Sequence, residues 1–134
     1  MRILVTGGCG FIGSAFCRRI LFQHPYLTLV NIDCLYPCST KSSDLVESHN
    51  NYTFLKGNLR DLDLESILRE HLIDTVVHFA AQSHVDTSFT NPLIYTEDNI
   101  VGTHMLLEAC RKWGKLKKFV QISTDEVYLS LIHI

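Results

Sequence analysis

Near its C-terminal end the chain reads Ser123-Thr124-Asp125-Glu126-Val127-Tyr128. Two adjacent carboxylates resist joint ionisation, so their pKa values separate and one can serve as acid while the other serves as base. Thr124 sets a hydroxyl beside them for a substrate oxygen. Alone, this run reads as a solvated acidic turn capping a helix. Its chemical reading comes from the other end of the chain. There Gly7, Gly10 and Gly13 stand at G-x-x-G-x-x-G spacing, directly after the apolar run Arg2 to Thr6. Phe11, Ile12, Ala15, Phe16 and Ile20 then recur at helical spacing. Strand, glycine turn and helix come in the order a dinucleotide site requires: a tight turn, a backbone able to approach a pyrophosphate, and a helix N-terminus offering unpaired N–H groups. Asp33 ends the next apolar run, Leu27 to Ile32, twenty residues after Gly13. A carboxylate there accepts from ribose hydroxyls and repels a 2′-phosphate, so the expected cofactor is NAD rather than NADP.

A third polar cluster, His78-Phe79-Ala80-Ala81-Gln82-Ser83-His84-Val85-Asp86, follows another apolar run. Small Ala80 and Ala81 let backbone come close to a cofactor. Ser83, His84 and Asp86 read equally as an ordinary polar loop or as part of a site.

The elements that must position these groups alternate. A helix after the glycine turn ends at His24-Pro25, because proline cannot continue it. A polar loop covers Cys34 to Asn51, and Tyr52 to Lys56 reads as a third strand. Leu64, Ile67, Leu68 and Leu72 mark a helix with Asp61 or Asp63 as N-cap. Thr75 to Ala81 reads as a strand buried on both faces. Asn91-Pro92 opens a long helix whose expected buried stripe is Ile94, Val101, Met105 and Ala109, with Gly114 as C-cap. Phe119 to Ser123 is the last strand. Five strands alternating with helices predict an α/β fold: a Rossmann-type, doubly wound parallel sheet ending after its fifth strand. Ligands in such sheets bind beyond the carboxyl ends of the strands, where all three polar clusters fall.

The 134 residues suffice for one domain with a core, and 46% of them are hydrophobic. The net charge of -2 gives no electrostatic case for nucleic acid or an anionic membrane surface. No apolar run is long enough to cross a bilayer and no leader pattern opens the chain, so a cytoplasmic protein is expected. The five cysteines are odd in number and lack C-x-x-C spacing, which favours reduced thiols; the seven histidines show no ligand spacing, and no metal is expected.

Together these residues resemble the extended short-chain dehydrogenase/reductases, and within them the nucleoside-diphosphate-glucose 4,6-dehydratases. The segments that carry the resemblance are Val5 to Ser14, Phe79 to Asp86, Asn99-Ile100-Val101-Gly102-Thr103 and Ser123 to Tyr128. The last is the specific one: epimerases of the family usually have small residues in place of Asp125 and Glu126, and decarboxylases and GDP-mannose dehydratases usually keep only the second carboxylate. The resemblance implies an internal redox cycle. Hydride leaves sugar C4 for NAD, Glu126 removes the C5 proton, Asp125 protonates the departing 6-hydroxyl, hydride returns to C6, and Thr124 holds the C4 oxygen. It places Gly7, Gly10, Phe11, Ile12, Gly13, Asp33, Asn58, Leu59, Phe79, Ala80, Ala81, Ser83, Asn99 and Ser123 around the cofactor. Ser83, His84, Asp86 and Thr124 fall around a nucleotide-sugar substrate. Asn58 departs from the family's aspartate at the adenine; its amide oxygen still offers an acceptor. The intact protein is expected to be a homodimer. Alternatives are an epimerase or decarboxylase of the same family, or a non-catalytic NAD-binding domain.

The match stops at Tyr128, where the family has a following glycine. Leu129-Ser130-Leu131-Ile132-His133-Ile134 resembles the translation of a transposon-end adapter used in DNA library preparation. The expectation is an incomplete NAD-binding domain over residues 1–128 and a non-native tail over 129–134. The family's Tyr-x-x-x-Lys pair, which performs the C4 oxidation, is expected to be missing, Tyr128 not being that tyrosine. The chain is accordingly expected to turn over no sugar nucleotide by itself.

Overall fold

The structure, a computed structural model, describes residues 1–36, 39, 49–124 and 127. Apolar, β-branched runs form five strands: β1 (Arg2–Thr6), β2 (Thr28–Asp33), β3 (Tyr52–Lys56), β4 (Thr75–His78) and β5 (Lys118–Gln121). They lie in the order β3-β2-β1-β4-β5, every neighbouring pair parallel. Order reverses between β1 and β4, and that switch point opens a crevice at the strands' carboxyl ends.

Helices cover both faces, as a parallel sheet requires. The helix α1 (Phe11–Gln23) sets Cys17 and Leu21 against Ile3, Val5, Leu29 and Val77 on one face. On the other, α2 (Leu64–Glu70) and α5 (Thr103–Trp113) pack Leu64, Leu68, Leu106 and Trp113 against Leu4, Val30 and Val76. Asp63 caps α2 by accepting from the Ser66 N–H at 3.1 Å. Trp113 donates from Nε1 to the Ile73 carbonyl at 2.8 Å, which ties the end of α5 to the connection that leads into β4. Gly114 closes α5 at φ 67°, a left-handed cap that glycine adopts without a Cβ penalty.

Several expected bounds move. The strand expected over Thr75 to Ala81 stops at His78. Phe79 N still donates to the Thr6 carbonyl, but Gly7 then turns away and leaves no ladder to continue. Leu72 lies beyond α2, in a left-handed conformation at φ 52°, and is exposed. A helix not anticipated, α3 (Val85–Thr90), starts in the polar cluster after β4.

The long helix is composite. It runs through α4 (Pro92–Tyr95), a π-helical segment (Thr96–Gly102) and α5, and the backbone stays right-handed helical through both joins. Its buried side is not the stripe expected. Gly102, Leu106, Ala109, Cys110 and Trp113 are buried, whereas Val101 and Met105 are 41% and 38% exposed. A wider turn breaks the count of 3.6 residues between Ile94 and Val101, and two apolar faces one residue apart compete for the sheet. Gly102 lies on the buried side beside Leu59, where a Cβ would make an ordinary van der Waals contact at 3.7 Å with the Leu59 Cβ.

His78 joins β4 to both neighbours. It is fully buried, hydrogen-bonded through Nδ1 with the Thr6 hydroxyl at 2.5 Å and through Nε2 with the Thr103 hydroxyl at 2.9 Å. Burial pushes its pKa down from 6.5 to about 4. The unfolded chain therefore takes up a proton in a window where the fold resists it, and stability falls as pH drops from about 6.5 towards 4. Acidification from neutral pH to about 4.5 should cost roughly 2 kcal/mol through this residue. Urea unfolding of the wild type and of His78→Gln at both pH values measures it, and the variant should lack that component.

Candidate functional site

The glycine turn after β1 is held by its neighbours. Gly7 N donates to the Ile32 carbonyl at 2.8 Å, Gly8 N to Asn31 Oδ1 at 3.0 Å, and Cys9 N to Asp33 Oδ2 at 2.9 Å. Gly7 sits at φ 73°, and a Cβ there would meet Ala80 N at 2.7 Å. Gly13 is buried, and its Cβ would stand 2.2 Å from the Gly7 carbonyl oxygen. Backbone therefore occupies the places where side chains would otherwise be. The first N–H groups of α1 have no intrahelical acceptor, and Gly10, its N-cap residue, supplies no side-chain cap. Phe11 and Ile12 lie exposed at this helix start.

A cleft opens over the crevice, at the carboxyl ends of the strands where ligands of such sheets bind. Its walls are Gly7 and Gly10 from the turn, Ile32, Asp33, Cys34, Tyr36 and Ser39 after β2, and Gly57, Asn58 and Leu59 after β3. Phe79 to Gln82 after β4 and Asp98 from the long helix complete it. Eight expected cofactor contacts thus share one cleft: Gly7, Gly10, Asp33, Asn58, Leu59, Phe79, Ala80 and Ala81.

Asp33 closes the turn and faces the cleft. Its Oδ2 accepts from Cys9 N at 2.9 Å; its Oδ1 accepts from Leu35 N at 2.8 Å and from Ser39 Oγ at 3.4 Å. A carboxylate offers about four acceptor positions. Accepting both ribose hydroxyls therefore requires the Ser39 hydroxyl, the longest of these contacts, to yield. These residues fit an adenosine ribose and a pyrophosphate: an acceptor at the end of β2, and a cradle at α1 that a Cβ would fill.

Asn99 stands behind the wall. Its amide accepts from Gln82 N at 2.7 Å and donates to the Gln82 carbonyl at 2.9 Å, so it fixes backbone at the cleft edge. Asn58 donates from Nδ2 to Asp98 Oδ1 at 3.0 Å and accepts on Oδ1 from Arg60 N at 3.0 Å. Ser83, His84 and Asp86 lie exposed beyond Gln82, outside the cleft lining, where the His84 carbonyl accepts from the Tyr95 hydroxyl at 2.5 Å. Ser123 and Thr124 follow β5, exposed on the same rim but also outside the lining. Asp125, Glu126, Tyr128 and the tail over 129–134 lie outside the described residues, as does Cys38.

The sequence holds one Tyr-x-x-x-Lys run, and it is not the family's pair. Tyr52 and Lys56 stand at that spacing. They lie on strand β3, paired with Leu29 and Asp33, and Tyr52 accepts from Asn31 Nδ2 at 3.0 Å. Four residues along a strand span about 13 Å, against about 6 Å along a helix, so these two cannot act on one hydroxyl. Cys17, Cys34 and Cys110 are free thiols, and no cluster that could hold a metal occurs among the described residues.

Sequence reasoning missed Tyr36, Arg60, Gln82 and Asp98. Asp98 accepts from the Tyr36 hydroxyl at 2.9 Å, Gln82 Nε2 at 3.0 Å, Asn58 Nδ2 at 3.0 Å and Arg60 at 3.2 Å. Burial alone would raise its pKa. The hydrogen bonds from Gln82, Asn58 and Tyr36 and the Arg60 charge outweigh burial and hold the carboxyl below the usual range. The available signal was its place beside Asn99.

Comparison with known proteins now bears on the cleft. The model of the GDP-mannose 4,6-dehydratase family matches residues 4–131. The chain belongs to that family. It is 44% identical to a dTDP-D-glucose 4,6-dehydratase of Dictyostelium discoideum, covering 95% of this chain and 30% of that protein. It is 45% identical to a trifunctional UDP-glucose 4,6-dehydratase, 3,5-epimerase and reductase of Arabidopsis thaliana, covering 94% of this chain and 19% of that one. Among solved structures it resembles DesIV, a dTDP-glucose 4,6-dehydratase from Streptomyces venezuelae with NAD bound. The TM-score is 0.89 and the identity 39%, over 98% of this chain and 42% of DesIV. A UDP-glucuronic acid 4-epimerase from Bacillus cereus superposes with a TM-score of 0.86 at 36% identity, over 96% of this chain and 41% of that structure. The chain thus spans well under half the length of these family members.

Gly13→Ala should push the α1 start off the turn, because the crowding atoms are backbone. The expected loss is about 2 to 3 kcal/mol in chemical unfolding. Loss of less than about 0.5 kcal/mol would show that the turn yields freely.

Proposed function

We propose that this chain forms the NAD-binding part of a nucleoside-diphosphate-glucose 4,6-dehydratase, which converts the sugar nucleotide to its 4-keto-6-deoxy form with loss of water. The observation that carries the reading is the cleft itself. It combines a side-chain-free turn, Asp33 at the end of β2 and the Phe79-Ala80-Ala81 wall at the switch point. Relatives named for 4,6-dehydratase activity and family structures crystallised with NAD support it.

NAD, when bound, supplies a reversible acceptor for hydride. The chain's own residues do the rest. The N–H groups at the start of α1 hold the pyrophosphate, and the glycine turn gives it room to approach them. Asp33 orients the adenosine ribose and disfavours a 2′-phosphate. Once C4 of the sugar is a ketone, the C5 proton is acidic. Glu126 removes it as base, and Asp125 gives a proton to the 6-hydroxyl as it leaves as water. Thr124 holds the C4 oxygen. An epimerase needs no such neighbouring acid and base, so Asp125 beside Glu126 favours the dehydratase over that alternative.

The intact protein is proposed to be a cytoplasmic homodimer. The outward face of the long helix, where Ile100, Val101 and Met105 stand exposed, supports an association surface. No helix among the described residues is long and apolar enough to cross a membrane.

Calorimetry should show NAD binding to the 134-residue chain at least about tenfold tighter than NADP, with Asp33→Ala abolishing the preference. Equal binding of both would remove the assigned role of Asp33. A chain of the relatives' full length should convert dTDP-glucose or UDP-glucose to the 4-keto-6-deoxy product, seen by mass spectrometry as loss of water. There Glu126→Gln should lower the rate about 10² to 10⁴-fold. Turnover unaffected by Glu126→Gln would exclude it as the base.

A further inference from the structure

Among the described residues, Asp98 is the carboxylate on which three cleft loops converge. Tyr36 reaches it from the loop after β2, Asn58 and Arg60 from the loop after β3, and Gln82 from the loop after β4. Its side chain is 10% exposed, and all of its roughly four acceptor positions are taken, two on each oxygen. It has no capacity left for a ligand. Its effect on one must pass through the groups it holds.

The group that matters most is the Asn58 amide. Nδ2 is committed to Asp98, so the amide cannot turn over without setting its oxygen against the carboxylate. Oδ1 gives one lone pair to Arg60 N and keeps the other. Asn58 lines the cleft on the β2–β3 side, next to Asp33 and Leu59. In a sheet of this order that side receives the adenosine half of a dinucleotide. An acceptor fixed there suits the exocyclic amino group of adenine and opposes the 6-oxo group of hypoxanthine.

We propose that Asp98 is a positioning residue for base recognition: it locks the Asn58 amide with its oxygen as the free group, and so makes the cleft selective for a 6-aminopurine. The inference rests on the NAD reading above. It implies that residues 58 and 98 share one negative charge. Moving that charge to position 58 preserves an acceptor for the amino group, with an amide at 98 donating to it. Placing a carboxylate at both positions sets two like charges in contact.

The test measures the affinity of the 134-residue chain for NAD and for nicotinamide hypoxanthine dinucleotide, with the ligand-free thermal midpoint as a control for folding. The wild type should prefer NAD by about tenfold or more, as sites built around a hydrogen bond reject analogues that cannot make it. In Asp98→Asn the preference should fall several-fold, because the Asn58 amide then keeps only the Arg60 N–H bond to fix its orientation. The double variant Asn58→Asp, Asp98→Asn should recover the preference, while Asn58→Asp alone should bind NAD about tenfold more weakly than wild type. A wild type that binds neither dinucleotide overturns the NAD reading and the inference with it. A wild type that binds both equally leaves the NAD reading standing and overturns the inference. Equal weakening for both ligands in Asp98→Asn, with the ratio kept, reduces Asp98 to a structural brace. A double variant no more selective than Asp98→Asn overturns the shared charge.

Discussion

Close approach of backbone to backbone at the switch point is the constraint on which the site depends. The exits of β1 and β4 meet where Gly7 faces Ala80, with no space for a Cβ between them. The start of α1 rests on the Gly7 carbonyl in the same way, through Gly13. Removing side chains at these points lets the start of α1 rest on the turn, where its first N–H groups, without intrahelical acceptors, form an anion site. Asn31 and Asp33, reaching up from β2, then hold that glycine backbone by its N–H groups at Gly8 and Cys9. The glycine turn is therefore braced by the strand beside it.

The second layer of order is polar and runs across the sheet. His78 ties β4 to β1 and to α5 through two threonine hydroxyls. Asn99 holds the backbone of Gln82, and Asp98 gathers three loops. These groups come from strand ends far apart in sequence, and each leaves few polar atoms unsatisfied. Among the described residues only Arg60 Nε is a buried side-chain nitrogen or oxygen without a partner. A network so nearly complete favours one arrangement of the cleft walls over many loose ones.

What the sequence disclosed follows from how local each feature is. The strands, the glycine turn and Asp33 were legible because spacing along the chain fixes them. The expected cofactor contacts from Gly7 to Ala81 that line the cleft lie at strand ends, which alternation alone locates. The buried face of the long helix was not legible. The widened turn over Thr96–Gly102 shifts the helical count, so burial falls at 102 and 106 rather than at 101 and 105, and no spacing along the chain announces that turn. Asp98 was illegible for a related reason. Its partners lie between 16 and 62 residues away, and no periodicity links Tyr36, Asn58 and Gln82 to it. The Tyr52–Lys56 spacing shows the converse: a pattern that means adjacency on a helix means separation on a strand.

The π-helical turn over Thr96–Gly102 has a wider meaning. A single long helix must serve two surfaces here, the cleft through Asp98 and Asn99 and the sheet through Leu106 and Trp113. A regular helix would bind the two in one angular phase, so any change that improved one would misdirect the other. The widened turn itself carries Asp98 and Asn99 and sets their angular phase against the packing half that follows it. Shortening that turn by one residue would rotate what precedes it against the packing half by about 100°.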